Sequence, residues 1–230
     1  MRQDIMPKKG LSFFSLLMWM ALSPCLWAQE TADTHFVVVE KGSPFSIALQ
    51  RALVPNLDWR CEHFDEHYLA FLGESTGPPP QPGLLGVTQE VFDFQALESG
   101  STTVNFGLYY NGERTQGHDA TVLIKDSLPR IPGLAPSLQV EVKNAGVRKA
   151  ELSLSGLFSD SNYALKSRGY TLIGRNITLW GFVRPASDAG AQALTPWRWS
   201  EKVAYGEPGA YHVRIQLNNK TLTELDISLP

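Results

Sequence analysis

Short runs in which every second residue is apolar recur along most of this chain, and Gly or Pro interrupts them again and again. Successive side chains of a β-strand point to opposite faces, so each such run can bury one face and leave the other wet. In the first half the pattern predicts strands at 36–40, 45–49, 57–61, 91–97, 102–109 and 118–125, with Leu57, Trp59 and Cys61 sharing one face. In the second half it predicts strands at 150–155, 175–182 and 209–217. Trp180 and Phe182 share a face of one of these, and Trp197 and Trp199 share a face further on, so all four are expected in a core. No segment carries a helical period for more than a turn or two. The fold class that follows is all-β, as two immunoglobulin-like antiparallel β-sandwich domains joined by a Pro-rich linker.

The linker is expected at 126–136, where Pro129, Pro132, Gly133 and Pro136 stiffen the backbone and remove ladder donors. It separates a first domain at 36–125 from a second at 137–230. A second cluster, Pro78, Pro79, Pro80 and Pro82 between Gly77 and Gly83, excludes a strand there and implies a loop with a semi-rigid stem.

The first 28 residues are read as a signal peptide rather than part of the fold. Arg2, Lys8 and Lys9 precede a nearly unbroken apolar run at 11–22, Pro24 ends it, and Ala28 supplies a small residue for cleavage. The run is shorter than the roughly 18 residues that a membrane span needs, so no span is expected in the mature chain. Lipid attachment at Cys25 is the alternative, and Pro24 stands where a small flexible residue is wanted. The expected localisation is therefore secreted or periplasmic. Cleavage would reduce Lys plus Arg from 20 to 17 and Asp plus Glu from 23 to 22, a net charge of about −5. A mildly acidic chain with no basic run argues against nucleic acid and against an anionic membrane surface.

Candidate chemistry is sparse. Cys61 is the one cysteine left after cleavage, so no internal disulfide can form. Cys61, His63 and His67 are metal-ligand types in one stretch, but the parity of Cys61 with Trp59 turns it toward the core, where free thiols are inert. No nucleophile elbow, phosphate-binding glycine loop or His-Glu-x-x-His motif is present. The chain is expected to be no enzyme and to need no cofactor or metal.

Over 36–125 the order of apolar landmarks resembles the chagasin-like inhibitors of papain-type cysteine peptidases. The matching residues are Leu49, Trp59, Phe92, Phe94, the Ala96-Leu97 pair followed by Gly100, then Phe106, Tyr109 and Tyr110. Most are core and turn positions. The resemblance implies three neighbouring loops that wedge into a partner's cleft. In the first, Asn56 takes the glycine place of the family's Asn-Pro-Thr-Thr-Gly turn, and Asn tolerates the positive φ this requires. Ala52, Leu53, Val54 and Pro55 replace the residues before it. In the second, Gly83, Leu84, Leu85 and Gly86 are a loose counterpart of a glycine-rich loop. The third, Tyr110, Asn111, Gly112 and Glu113, lacks the family's Arg-Pro-Trp.

Two readings of these loops stay open. Leu53, Val54, Leu84 and Leu85 could form an exposed apolar rim for a protein partner. They could instead fold back over the end of the sandwich, with Asn111-Gly112 serving only as a hairpin turn. The second half resembles immunoglobulin-like sandwiches of bacterial secreted proteins, through Ala191 to Trp199 and then Pro208-Gly209-Ala210-Tyr211, with Gly190 where a cysteine often stands. The expected function is protein binding through the loops of the first domain, with a papain-type cysteine peptidase as the partner that the resemblance implies. The alternative is a non-inhibitory envelope or structural interaction module.

Overall fold

Phe36, Val37, Val38 and Val39 are apolar at both parities, which is the pattern of a strand covered on both faces. The computed structural model, which describes residues 34–77, 86–185 and 193–230, places all four out of solvent in β1 (Thr34–Glu40). Six further strands complete the first half: β2 (Pro44–Ala52), β3 (Leu57–His63), β4 (Leu69–Gly77), β5 (Val87–Ala96), β6 (Gly100–Tyr110) and β7 (Glu113–Lys125). Seven make up the second: β8 (Leu134–Gly146), β9 (Lys149–Phe158), β10 (Tyr163–Ile173), β11 (Asn176–Pro185), β12 (Thr195–Ala204), β13 (Gly209–Leu217) and β14 (Lys220–Leu229). The fold is all-β, and among the described residues there is no helix.

One seven-stranded sheet, ordered β12-β9-β8-β1-β7-β6-β3, draws on both halves. A three-stranded sheet β2-β5-β4 and a four-stranded sheet β10-β11-β13-β14 complete the molecule. β1 is the seam of the long sheet. It pairs parallel with β7, His35 opposite Ala120, and antiparallel with β8, His35 opposite Glu141. Val37 and Val39 join Phe45, Ile47, Trp59, Phe92, Phe94 and Phe106 in one core. Phe36 and Val38 join Leu138, Leu154, Leu179, Trp199 and Ile215 in the other. Each short sheet therefore covers a different face of the long one.

The 126–136 stretch runs between β7 and β8, whose first residues it includes. It is held at several points. Arg130 Nη2 donates to Glu40 Oε1 at 2.8 Å, the Leu128 N–H to Glu40 Oε2 at 3.3 Å, and Lys220 Nζ to the Arg130 carbonyl at 2.8 Å, while Ile131 is buried in the second core. Pro136 falls where the β8–β9 register shifts, a place where a missing ladder donor is tolerated. Tyr211 Oη donates to the Glu207 carbonyl at 2.7 Å, a local fastening of the kind found in immunoglobulin-like sandwiches.

The second half gains β8, β10, β12 and β14 beyond the strands that its alternation predicts, and three further details differ from the sequence reading. The buried face of β11 carries Ile177, Leu179 and Val183, while Trp180 and Phe182 lie half-buried on the outer face. Both parities of this strand are apolar, so alternation could not choose between them. Glycines decide it. Gly181 lets Leu165, Leu217 and Trp199 close over the inner face, and Trp180 lies across Gly169 on β10, its partner in register. Trp197 and Trp199 are both buried, as their shared parity predicts. β4 was not visible in the pattern, because a bulge between Phe71 and Gly73 shifts its alternation and leaves Phe71 and Leu72 both exposed. Cys61 is half-buried at the edge of the first core rather than fully enclosed, because the ladder shifts just beyond it, between Cys61 and His63.

Candidate functional site

β2 belongs to the three-stranded sheet and β3 to the edge of the seven-stranded one, so the chain between them must cross from one layer to the other. That crossing is the 53–56 loop. Val54 to Leu57 forms a turn closed by the Leu57 N–H donating to the Val54 carbonyl at 3.3 Å. Asn56, third in the turn, has φ 58°, in the left-handed region that the sequence reading required of it. The hairpin β6–β7 turns through Asn111 and Gly112 at φ 52° and 87°, the paired positive values of a tight hairpin whose twist matches its strands.

These loops meet. The Leu53 N–H donates to the Gly86 carbonyl at 2.7 Å on one side. On the other side the Asn111 N–H donates to the Asn56 carbonyl at 3.0 Å, and Asn56 Nδ2 donates to Asn111 Oδ1 at 3.0 Å. The first loop thus lies between the ends of the other two, bonded to both. Of the second loop only Gly86 can be placed; Gly83, Leu84 and Leu85 lie outside the described residues. The two hydrogen bonds between Asn56 and Asn111 are what sequence could not foresee, since each asparagine had been accounted for by its own turn.

Leu53 is 67% exposed, Val54 41% and Tyr110 46%, and Pro55, Asn56, Asn111, Gly112 and Glu113 are exposed as well. Leu53 and Val54 do not fold back over the sandwich. An open hollow lined by Arg51 and residues 53–58 lies beside them.

A charged cluster flanks the loops on the outer face of β3, β6 and β7. Glu62 accepts hydrogen bonds from Arg114 Nε at 2.7 Å, Arg114 Nη2 at 3.0 Å and Tyr109 Oη at 2.8 Å. The Arg114 bonds, then that of Tyr109, hold the Glu62 carboxyl below its usual range, and the bond to Glu62 holds the Tyr109 phenol above its own. The Arg60 guanidinium stands 4.4 Å over the Tyr109 ring and donates to Asp58 Oδ2 at 2.6 Å. The cluster lies across Gly107, where a Cβ would meet Glu62 Oε1 at 2.2 Å. Sequence reasoning missed it, because its members are scattered over three strands.

The Cys61 thiol is pushed up to about 11, first by burial and then by the Glu74 carboxylate, so it is protonated at neutral pH and a poor nucleophile. Among the described residues no three His, Cys, Asp or Glu side chains are arranged to hold a metal ion.

No family model matches the chain, and no curated protein does. Among solved structures it is similar to the cysteine protease inhibitor EhICP2 from Entamoeba histolytica, with 17% identity and a TM-score of 0.33 over 39% of this chain and 86% of that one. It is also similar to domains 5–6 of the S-layer protein SbsC, with 11% identity and a TM-score of 0.26 over 83% of this chain and 90% of that one. At these TM-scores neither likeness says what the chain binds.

Proposed function

We propose that this chain is a secreted or periplasmic, non-enzymatic protein-binding module that meets its partner with the loop end of its first half. A papain-type cysteine peptidase is the partner class to test first. The observation that carries this reading is the exposure of Leu53 and Val54 at the centre of loops hydrogen-bonded to one another. Apolar side chains on loop tips gain free energy when a partner removes them from water, and loops already tied together lose little entropy on docking. Residues 36–125 are the binding unit and 137–230 its support.

The test is a titration of the mature protein against papain and a cathepsin-like enzyme. Stoichiometric, loop-dependent inhibition at micromolar concentration is expected; its absence in a folded protein removes the peptidase as partner. A non-inhibitory envelope module is the second reading, favoured by the loss of the amide and hydroxyl side chains at positions 52–55. It requires that a cross-linkable side chain at position 53 capture an envelope protein which the Val54→Asp protein does not capture.

A further inference from the structure

The inner faces of β2 and β5 are apolar along most of their length. Phe45, Ile47 and Leu49 face Phe92 and Phe94 in the first core. At the loop end the same two faces turn charged, at Arg51 and Glu90. Glu90 lies opposite Leu49 in the ladder, on the parity of Phe92, so its carboxylate projects between the layers. Arg51 Nε donates to Glu90 Oε1 at 2.7 Å, and the two side chains are only 16% and 14% exposed. No other ion pair among the described residues is so enclosed on both sides.

The second carboxylate oxygen is also used. Glu90 Oε2 accepts the backbone N–H of Trp59, on the facing sheet. Arg51 precedes the 53–56 loop and Trp59 follows it. One carboxylate from a third strand therefore grips the chain on both sides of the loop. The Trp59 indole Nε1, donating to the Gln50 carbonyl at 3.0 Å, ties the same two strands again.

A half-enclosed ion pair is a costly way to stabilise a sandwich. Apolar residues of similar volume commonly do as well or better, and such pairs are better attested as devices that fix one geometry. From the place of this one we infer that Glu90 is a positioning residue, a brace that holds the 53–56 loop in its exposed, binding-ready shape. The inference rests on the reading of that loop as the contact surface. It adds that the rigidity of the loop comes from Arg51 and Glu90, which are 39 positions apart.

The chemistry selects the test. Arg51 and the Trp59 amide are both donors, and a carboxylate can accept from both at once. In Glu90→Gln the shape is kept, but one donor must face the new NH2 group, so one arm of the brace opens. Hydrogen exchange is measured on the free protein at four loop amides: Leu53, Val54, Leu57 and Asn111. All are hydrogen-bonded within the loop cluster. In Glu90→Gln they should exchange faster by about tenfold or more, while Val213 and Ile215 in the second core keep their rates. Arg51→Met should have a similar effect. The double variant should add little to either, because both act through one carboxylate.

Unchanged loop exchange in Glu90→Gln overturns the inference. So does an equal acceleration through β2, β5 and β6, which would make the pair a general stabiliser. If Glu90→Gln does not fold, Arg51→Met alone carries the measurement. No partner is needed for these readouts. Loosened loops in a protein that never binds papain would uphold the brace and reject only the peptidase.

Discussion

Phe36 and Val37 are neighbours in the chain and belong to different hydrophobic cores, Phe36 with Leu138 and Trp199, Val37 with Phe92 and Phe106. The alternation of one strand thus joins two packed layers that would otherwise meet only at their borders. Gln139 Nε2, donating to the Ser46 carbonyl at 2.6 Å, ties β8 to β2 across the same seam.

This sharing predicts coupled unfolding. Val37→Ala and Val38→Ala remove comparable volumes from different cores, and each should cost about 2 kcal/mol. Urea titrations would follow the first core through the environment of Trp59 and the second through Trp197 and Trp199. Each variant should lower both midpoints together. A midpoint that moves for one probe only would mean that the halves unfold separately.

Val54→Asp should leave the unfolding free energy from urea titration within about 0.5 kcal/mol of the parent, because the side chain is exposed. If the loops bind by apolar contact, it should weaken partner binding by at least about tenfold, or roughly 1.4 kcal/mol. Binding that persists unchanged would place the contact elsewhere on the protein.

His35 is 3% exposed, with Nδ1 3.3 Å from His118 Nε2. Burial above all lowers its pKa to about 4; the facing His118 and Lys143 add to this, while Glu141 and Gln139 oppose it. The folded protein therefore holds His35 neutral, whereas the unfolded chain protonates it near 6.5. Its contribution is fully present above about pH 6.5 and is lost as pH falls toward 4, a change on the order of 3 kcal/mol. Stability measured from pH 7 to 4 should fall less steeply in His35→Leu than in the parent. Parallel profiles would show that carboxylates alone set the acid limit.

Cys61 should react slowly with a thiol reagent in the native state. A thiol near 11 exposes about a hundredfold less thiolate than one near 9, so unfolding in urea should raise the rate by at least about tenfold at pH 8. Equal native and unfolded rates would contradict the enclosure of the thiol.

The legible part of this fold was its alternation, wherever one parity was apolar and the other was not. β6, β7 and β13 declare themselves in that way. β11 does not, since Trp180 and Phe182 compete with Ile177 and Leu179, and the outcome depends on Gly169 and Gly181 in the finished sheet. β4 is hidden by its bulge. In the candidate site, the turn chemistry of Asn56 and Asn111-Gly112 was readable because positive φ restricts the residue type. The exposure of Leu53 and Val54 was one of two outcomes the sequence allowed. Arg51 with Glu90, and Glu62 with Tyr109 and Arg114, were not readable, because a ladder register is needed to bring such distant positions together.

β1 also sets an order of events. It is the earliest of the described strands in the chain, yet its two neighbours in the sheet, β7 and β8, come after five other strands. Until they arrive it has no ladder to join, and contacts so distant in sequence form slowly. A chain emerging residue by residue would carry a bare apolar ribbon at 34–40 until β7 follows it at Glu113–Lys125. Deleting 34–40 would leave β7 and β8 as two open edges and uncover both cores at once, a surface prone to strand addition between copies. The earliest of the described strands is thus a keystone that waits for both of its flanks.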